Sequence, residues 1–92
     1  MIVRLSGEGQ FNLPDEDAER LNQLDNEAVA AVEAGDEGAF LELWNQMLEL
    51  VAADGSPVGE EDLVESDVIL PPRDVSFAEA QAEFTGEGLI PD

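Results

Sequence analysis

The residues Asp36–Val51, DEGAFLELWNQMLELV, carry the clearest structural signal in the chain, because their apolar positions fit one helical face. A helix advances by about 100° per residue, which places six apolar side chains on one side: Phe40, Leu43, Trp44, Met47, Leu48 and Val51. Leu41 and Leu50 flank this side, and polar residues fill the opposite one. The apolar arc covers about half the circumference, which is wider than the roughly 100° stripe of an ordinary surface helix. We therefore predict a central helix that needs more than one neighbour to cover it.

The length and composition are those of one small domain that spans residues 1–92. A chain of 92 residues buries roughly 60–65% of its unfolded surface, and an apolar content of 43% is enough for one core. No apolar run reaches the roughly 20 residues of a membrane span, and the first residues lack the apolar segment of a secretory signal. There is no cysteine, so disulfides and thiolate chemistry are excluded. These features predict a soluble, cytoplasmic protein.

The formal net charge of −20 is the strongest compositional feature, with 23 acidic residues against three arginines and no histidine. The carboxylates are spread along the chain and do not form an acidic tail. Their repulsion destabilises a compact state at low salt, whereas molar salt shortens the screening length to about 3 Å. We interpret the charge as halophilic adaptation to a salty cytoplasm. The alternative is a functional acidic surface, either a DNA mimic or a face for a basic partner. Direct nucleic-acid binding is disfavoured, since there is no basic surface for phosphates.

The first two apolar runs predict a β-hairpin. They are IVRL at positions 2–5 and QFNL at positions 10–13, separated by SGEG. Two glycines in a four-residue connection predict turn positions with positive φ at Gly7 and Gly9. The apolar residues of the second run alternate with polar ones, so one face of that strand is apolar. A lone hairpin is marginal in water, and we expect it to lie across the helices.

A first helix is predicted to run from Pro14 to Ala34. Asp15 is its predicted N-cap, and the acidic residues that follow complement the positive end of the helix dipole. Gly35 stands where a helix end adopts a left-handed conformation, and Asp36 caps the central helix directly after it. So short a connection forces the two helices into an antiparallel αα-hairpin.

Asp25 falls inside the apolar arc of the first helix, between Leu21 and Val32. A carboxylate in such a position needs a partner, and Arg4 or Arg20 is available. The alternative is a position at the rim of the apolar arc, from which the side chain reaches solvent.

Three shorter segments follow the central helix. Residues 58–66 are acidic and weakly patterned, which indicates a loop with a turn of helix at Glu60–Val64. The run Asp67–Leu70 is stopped by two prolines and is either a strand added to the hairpin or an extended segment that fills the core. Ser76, with Glu79 three residues later, fits a capping box for a short helix that ends at Phe84.

The sequence offers no catalytic constellation, and we predict neither an enzyme nor a cofactor. Histidine, cysteine, lysine and tyrosine are all absent, so the usual bases, nucleophiles and metal ligands are missing. Residues Asp54–Glu65 place acids at several positions of an EF-hand loop, but Val58 occupies a ligand position and Glu61 an apolar one, so no metal site is predicted. A small hydrolase that uses two carboxylates is a further option, which would need a deep pocket.

Three predicted partner-binding residues lie on the central helix. Trp44, with Leu41 and Leu48, would form a recognition face, although core packing is the simpler role for a tryptophan at helical spacing with leucines. Any part of the apolar arc left uncovered would be a groove for a partner helix or for a second copy in a homodimer. The glycines predicted to serve the turns are Gly7, Gly9 and Gly35.

A family resemblance is carried by five segments: Met1–Phe11, Arg20–Asn26, Ala34–Asp36, Asp67–Pro72 and Gly86–Pro91. Together they resemble the PspA-associated domain family, PspAA, over nearly the whole chain. Proteins of this family occur beside PspA, the phage-shock protein related to the ESCRT membrane-remodelling family, in archaea and bacteria. The resemblance implies an accessory role in a membrane-stress response, through protein contact and without catalysis. The family offers no catalytic residues to carry over, and its motif acid at Asp25 completes the predicted partner-binding site.

We predict an α+β fold in which an N-terminal β-hairpin packs on an antiparallel αα-hairpin, with a short extended segment and a short C-terminal helix. The predicted function is a non-catalytic protein-binding module whose partner is PspA, contacted helix to helix or helix in groove. The protein would reach the inner face of the membrane only through this partner. The alternative is an acidic nucleic-acid mimic that inhibits a basic DNA- or RNA-binding protein.

Overall fold

The computed structural model describes residues 1–59, 64–84 and 88–89, and it has the predicted α+β architecture. The elements in chain order are β1 (Ile2–Leu5), β2 (Gly9–Asn12), α1 (Asp15–Glu33), α2 (Glu37–Asp54), β3 (Ser56–Pro57), β4 (Val68–Leu70) and α3 (Phe77–Glu83). In the part of the chain so described, no helix is both long enough and apolar enough to cross a bilayer.

The predicted β-hairpin is confirmed. β1 and β2 pair antiparallel with Val3 opposite Phe11, and the turn between them contains Gly7 at φ +85° and Gly9 at φ +116°. Side chains other than glycine rarely adopt these dihedrals, so both residues serve the turn as predicted. The N–H of Glu8 donates to the carbonyl of Leu5 at 2.9 Å, and this hydrogen bond closes the turn.

The sheet extends beyond the hairpin on both sides, in the order β3-β2-β1-β4. β4 pairs parallel to β1, with Arg4 opposite Ile69, so the run Asp67–Leu70 contains a strand and the choice left open by its sequence is resolved. β3 pairs antiparallel to β2 and was not predicted. The predicted turn of helix at Glu60–Val64 falls mainly on residues 60–63, outside the described residues.

The two long helices are joined by the predicted tight connection. Gly35 has φ +71°, and its N–H donates to the carbonyl of Val32 while the N–H of Asp36 donates to that of Ala31. This pair of bonds is a Schellman motif. Asp36 then caps α2, since its Oδ1 accepts from the N–H of Ala39 at 3.1 Å.

The cap predicted for the first helix is wrong. Pro14 occupies the N-cap position, and no side chain caps the helix. The carbonyl of Pro14 already accepts from the N–H of Ala18 at 2.9 Å, which places Asp15 inside the first turn. Asp15 is therefore one of three acidic residues that complement the helix dipole, together with Glu16 and Asp17.

One hydrophobic core joins the sheet to the helices, and it covers the wide apolar arc of α2 from more than one side. α1 packs along α2. An aromatic cluster covers the first half of α2. The centroid of the Phe40 ring lies 5.1 Å from that of Phe84 and 5.9 Å from that of Phe77. Trp44 meets Phe84 edge to face at 5.9 Å. The capping box that begins α3 is also confirmed, because Ser76 Oγ accepts from the N–H of Glu79 at 3.1 Å.

Candidate partner-binding surface

The predicted recognition residues on α2 are divided between core and surface. Trp44 is 2% exposed and Leu48 is 3% exposed, and the Trp44 Nε1–H donates to the carbonyl of Arg73 at 3.1 Å. The core role of Trp44 is thereby confirmed. Leu41 is 42% exposed, so it alone of the three presents a large apolar area to solvent. Contact of these residues with a partner stays a prediction.

Asp25 is fully buried, and the expectation that it reaches solvent at the rim is wrong. Its Oδ1 accepts a hydrogen bond from the backbone N–H of Leu89 at 3.0 Å. Leu89 packs against the core, so this residue covers part of α1 beside Asp25. One partner of the carboxylate is therefore a backbone amide, whereas the sequence indicated an arginine side chain, Arg4 or Arg20.

Gly88 completes this arrangement, because its conformation and its surroundings both require glycine. Its φ is +83°, and a Cβ atom added there would lie 2.5 Å from Asp25 Oδ2. The backbone therefore approaches the carboxyl group more closely than any side chain permits. From sequence, Gly88 appeared only within the family-like segment Gly86–Pro91 and had no separate role.

The hairpin turn is tied to the segment between β4 and α3 by an ion pair. Arg73 donates from Nε to Glu8 Oε2 at 3.0 Å and from NH2 to Oε1 at 2.9 Å. These hydrogen bonds and the guanidinium charge lower the pKa of Glu8 below its ordinary 4.5. Because the carbonyl of Arg73 also accepts from Trp44, one residue connects the hairpin turn with α2. No other ion pair joins side chains among residues 1–59, 64–84 and 88–89.

Two carboxyl groups face each other where α1 begins and α2 ends. Desolvation raises the pKa of Asp17 above its ordinary 3.8, and hydrogen bonding to Asp54 and repulsion from its charge raise it further. The pair is a local example of the repulsion that the composition implies. No group of three or more potential metal ligands occurs in the described part of the chain, and the EF-hand-like segment lies partly outside it.

Two open grooves lie among the residues that the structure describes. One, of about 300 Å³, lies between α1 and α2, with Leu24 and Leu50 below charged residues that include Arg20, Glu49 and Asp54. Leu50, at one flank of the apolar arc of α2, borders this groove, whereas the predicted recognition residues Leu41, Trp44 and Leu48 do not. Use of the groove by a partner helix stays a prediction.

The other groove, of about 190 Å³, lies between β4 and α3. Ile69 borders it and is 60% exposed. We did not predict this surface, although strand alternation carried a signal, because Ile69 must point away from the face that buries Val68 and Leu70. The residues that line it include Ile69, Leu70, Pro71, Val75, Glu79 and Glu83.

Comparison with known proteins gives one match. The family model described as PspA-Associated protein, PspAA, matches residues 1–92. No curated protein and no solved structure matches the chain.

Proposed function

Since the chain belongs to the PspA-associated protein family over all of its 92 residues, we propose that it is a non-catalytic accessory module that acts by binding PspA. The observation that carries this proposal is the extent of the family match. The family is an accessory one, and its description names the protein with which its members are associated. Binding through direct contact is the part of the proposal that awaits experiment.

The surface of the protein supports a binding role. Ile69 is 60% exposed and lies on β4, a strand of the sheet. An exposed apolar side chain on such an element, at the border of an open groove, is typical of sites that take a partner's side chains.

The charge supports a membrane role that is only indirect. Membrane surfaces that contain anionic lipids carry a negative potential, and a chain of net charge −20 is repelled by them. The protein would therefore act in a membrane-stress response at the inner face of the membrane through PspA. The same charge opposes association of two copies, so the predicted homodimer receives no support from it.

The distribution of the acids favours salt adaptation over mimicry of a nucleic acid. Exposed carboxylates occur on every helix and on the hairpin turn, whereas a mimic would align them along one face at the spacing of phosphates. No observation on the described residues favours the nucleic-acid mimic.

Co-purification tests the proposal. A tagged copy of the chain, expressed in cells that contain the PspA of the same source, is captured in molar KCl. Retention of PspA, and its loss when untagged chain is added in excess, is the expected result. A capture that retains the tagged chain in folded form but no PspA contradicts the proposal.

A further inference from the structure

We propose that the groove between β4 and α3 binds a segment of the partner that carries one large apolar side chain next to basic side chains. This inference rests on the proposed function and adds to it the docking site and the chemistry of the bound segment. It differs from the sequence-based prediction, which placed the partner on α2.

The size and lining of the groove suit one apolar side chain. Leu70, Pro71 and Val75 are buried and form its floor, while Ile69 stands 60% exposed at its border. The volume of about 190 Å³ exceeds the roughly 150 Å³ of an apolar cavity known to hold benzene. The groove can therefore accept one aliphatic or aromatic side chain, and Ile69 would be covered when it does.

Two glutamates, Glu79 and Glu83, give the groove an acidic border. They lie four residues apart on α3, so they share one face of the helix, and both border the groove. Neither forms an ion pair with any residue that the structure describes. Like charges at this spacing destabilise a helix, and a basic group from a partner would relieve that repulsion.

The groove is also held in shape before any partner binds. Ser6 Oγ donates to the carbonyl of Leu70 at 2.9 Å, which fixes the end of β4. Ser76 fixes the first turn of α3 through the N–H of Glu79. A site that is already ordered loses little conformational entropy on binding, which favours a short segment as its ligand.

The identity of the occupant follows from charge. A second copy of this chain would bring another net charge of −20 to a groove bordered by two carboxylates. Nucleic acid and anionic lipid would be repelled in the same way. A basic segment of a protein is the remaining class that satisfies both the apolar floor and the acidic border.

The test compares matched variants by measuring the Kd for purified PspA of the same source. Ile69→Asp places a charge at the apolar border without touching the core, and Leu41→Asp does the same to another large exposed apolar side chain, on α2, where the sequence-based prediction placed the partner. We expect Ile69→Asp to weaken binding about tenfold or more and Leu41→Asp to leave it within about twofold. Circular dichroism establishes that each variant is folded.

A second pair of variants tests the acidic border. The first double variant, Glu79→Gln with Glu83→Gln, removes two charges while keeping side-chain size and capping ability. The control double variant, Glu42→Gln with Glu49→Gln, removes two charges from α2. The first pair should weaken binding and flatten its dependence on salt, and the second should not. If instead Leu41→Asp abolishes binding and Ile69→Asp does not, the docking site is on α2 and this inference is wrong, while the proposed function stands.

Absence of binding by the unaltered chain would overturn the proposed function, and a peptide experiment then tests the groove by itself. The probe is a pentapeptide with leucine between pairs of lysines, and the control replaces the leucine by serine. Leucine-dependent shifts in the NMR spectrum at Ile69, Val75 and Glu83 would support the groove. Shifts spread evenly over the acidic surface, or equal for both peptides, would overturn it.

Discussion

Asp25 and Leu89 are 64 positions apart in the chain, yet the Oδ1 atom of the first accepts the backbone N–H of the second at 3.0 Å. The carboxyl group is fully buried, so this hydrogen bond is shielded from water. The only acidic side chain among the buried described residues therefore holds the backbone of Leu89 against α1.

The first prediction concerns this contact. Asp25→Ala should lower the free energy of unfolding by about 1–3 kcal/mol, the cost of leaving a buried hydrogen-bonding group without its partner. The amide of Leu89 should also exchange its hydrogen faster. Denaturant unfolding and hydrogen exchange measure the two effects. Asn26→Ala, at the exposed neighbouring position, is the control and should change stability by less than about 0.5 kcal/mol.

The second prediction compares two glycines with positive φ. Gly88→Ala should destabilise the protein more than Gly35→Ala, because a Cβ at Gly88 lies 2.5 Å from Asp25 Oδ2 whereas a Cβ at Gly35 meets nothing within 4 Å. Gly35→Ala should cost only the conformational term of about 1–2 kcal/mol. Thermal unfolding of both variants decides the order. Equal losses would mean that the close approach to Asp25 has no energetic consequence.

The third prediction concerns Trp44. Trp44→Ala should cost about 3–5 kcal/mol, as is usual for a buried aromatic side chain. Trp44→Phe keeps the aromatic contact with Phe84 but leaves the carbonyl of Arg73 without its donor, and it should cost about 1 kcal/mol from that loss in addition to the lost volume. Leu41→Ala on the same helix should cost less than either. A larger loss from Leu41→Ala than from Trp44→Ala would contradict the packing described.

The fourth prediction concerns two carboxyl groups whose pKa values move in opposite directions. Arg73 lowers the pKa of Glu8, so this contact contributes stability above the ordinary value of 4.5, which is lost as pH falls through the lowered pKa. Asp17 has a raised pKa, so its repulsion from Asp54 weakens stability at neutral pH and is relieved as pH falls through the raised value.

NMR titration of the two side chains measures these shifts. Arg73→Gln should return the pKa of Glu8 towards 4.5 and leave that of Asp17 unchanged. Asp54→Asn should move the pKa of Asp17 towards 3.8 and leave that of Glu8 unchanged. A change of both pKa values in either variant would show that the net charge, not the named neighbour, causes the shifts.

The fifth prediction concerns salt. With a net charge of −20, the free energy of unfolding should rise from low salt to molar KCl as self-repulsion is screened. Urea unfolding at several KCl concentrations measures this, since urea adds no ions. A stability independent of salt would contradict the interpretation of the acidic surface as halophilic adaptation.

Local signals predicted much of this fold. The glycine pair of the first turn, the Gly35–Asp36 connection and the Ser76 capping box each act within a few residues, so the sequence carries the full information for them. β3 has only two residues and no pattern of its own. The pairing of β4 with β1 joins segments more than sixty positions apart, and no local periodicity specifies such a partner.

The candidate site was less accessible to sequence reasoning for the same reason. Asp25 stood out as an acid within an apolar arc, but its partner is a backbone N–H, which every residue other than proline possesses. For Trp44 the sequence left a recognition face open beside the simpler core role, because periodicity does not show which part of a wide arc is covered. Ile69 could have been recognised once Asp67–Leu70 was treated as a strand.

Sedimentation velocity of the purified chain with purified PspA of the same source, in molar KCl, is the decisive measurement for the proposed role. The predicted result is a faster-sedimenting species that contains both proteins and whose amount saturates as the chain is added. This species is lost with Ile69→Asp and retained with Leu41→Asp. Two species that sediment independently at micromolar concentrations, with both proteins folded, would contradict it.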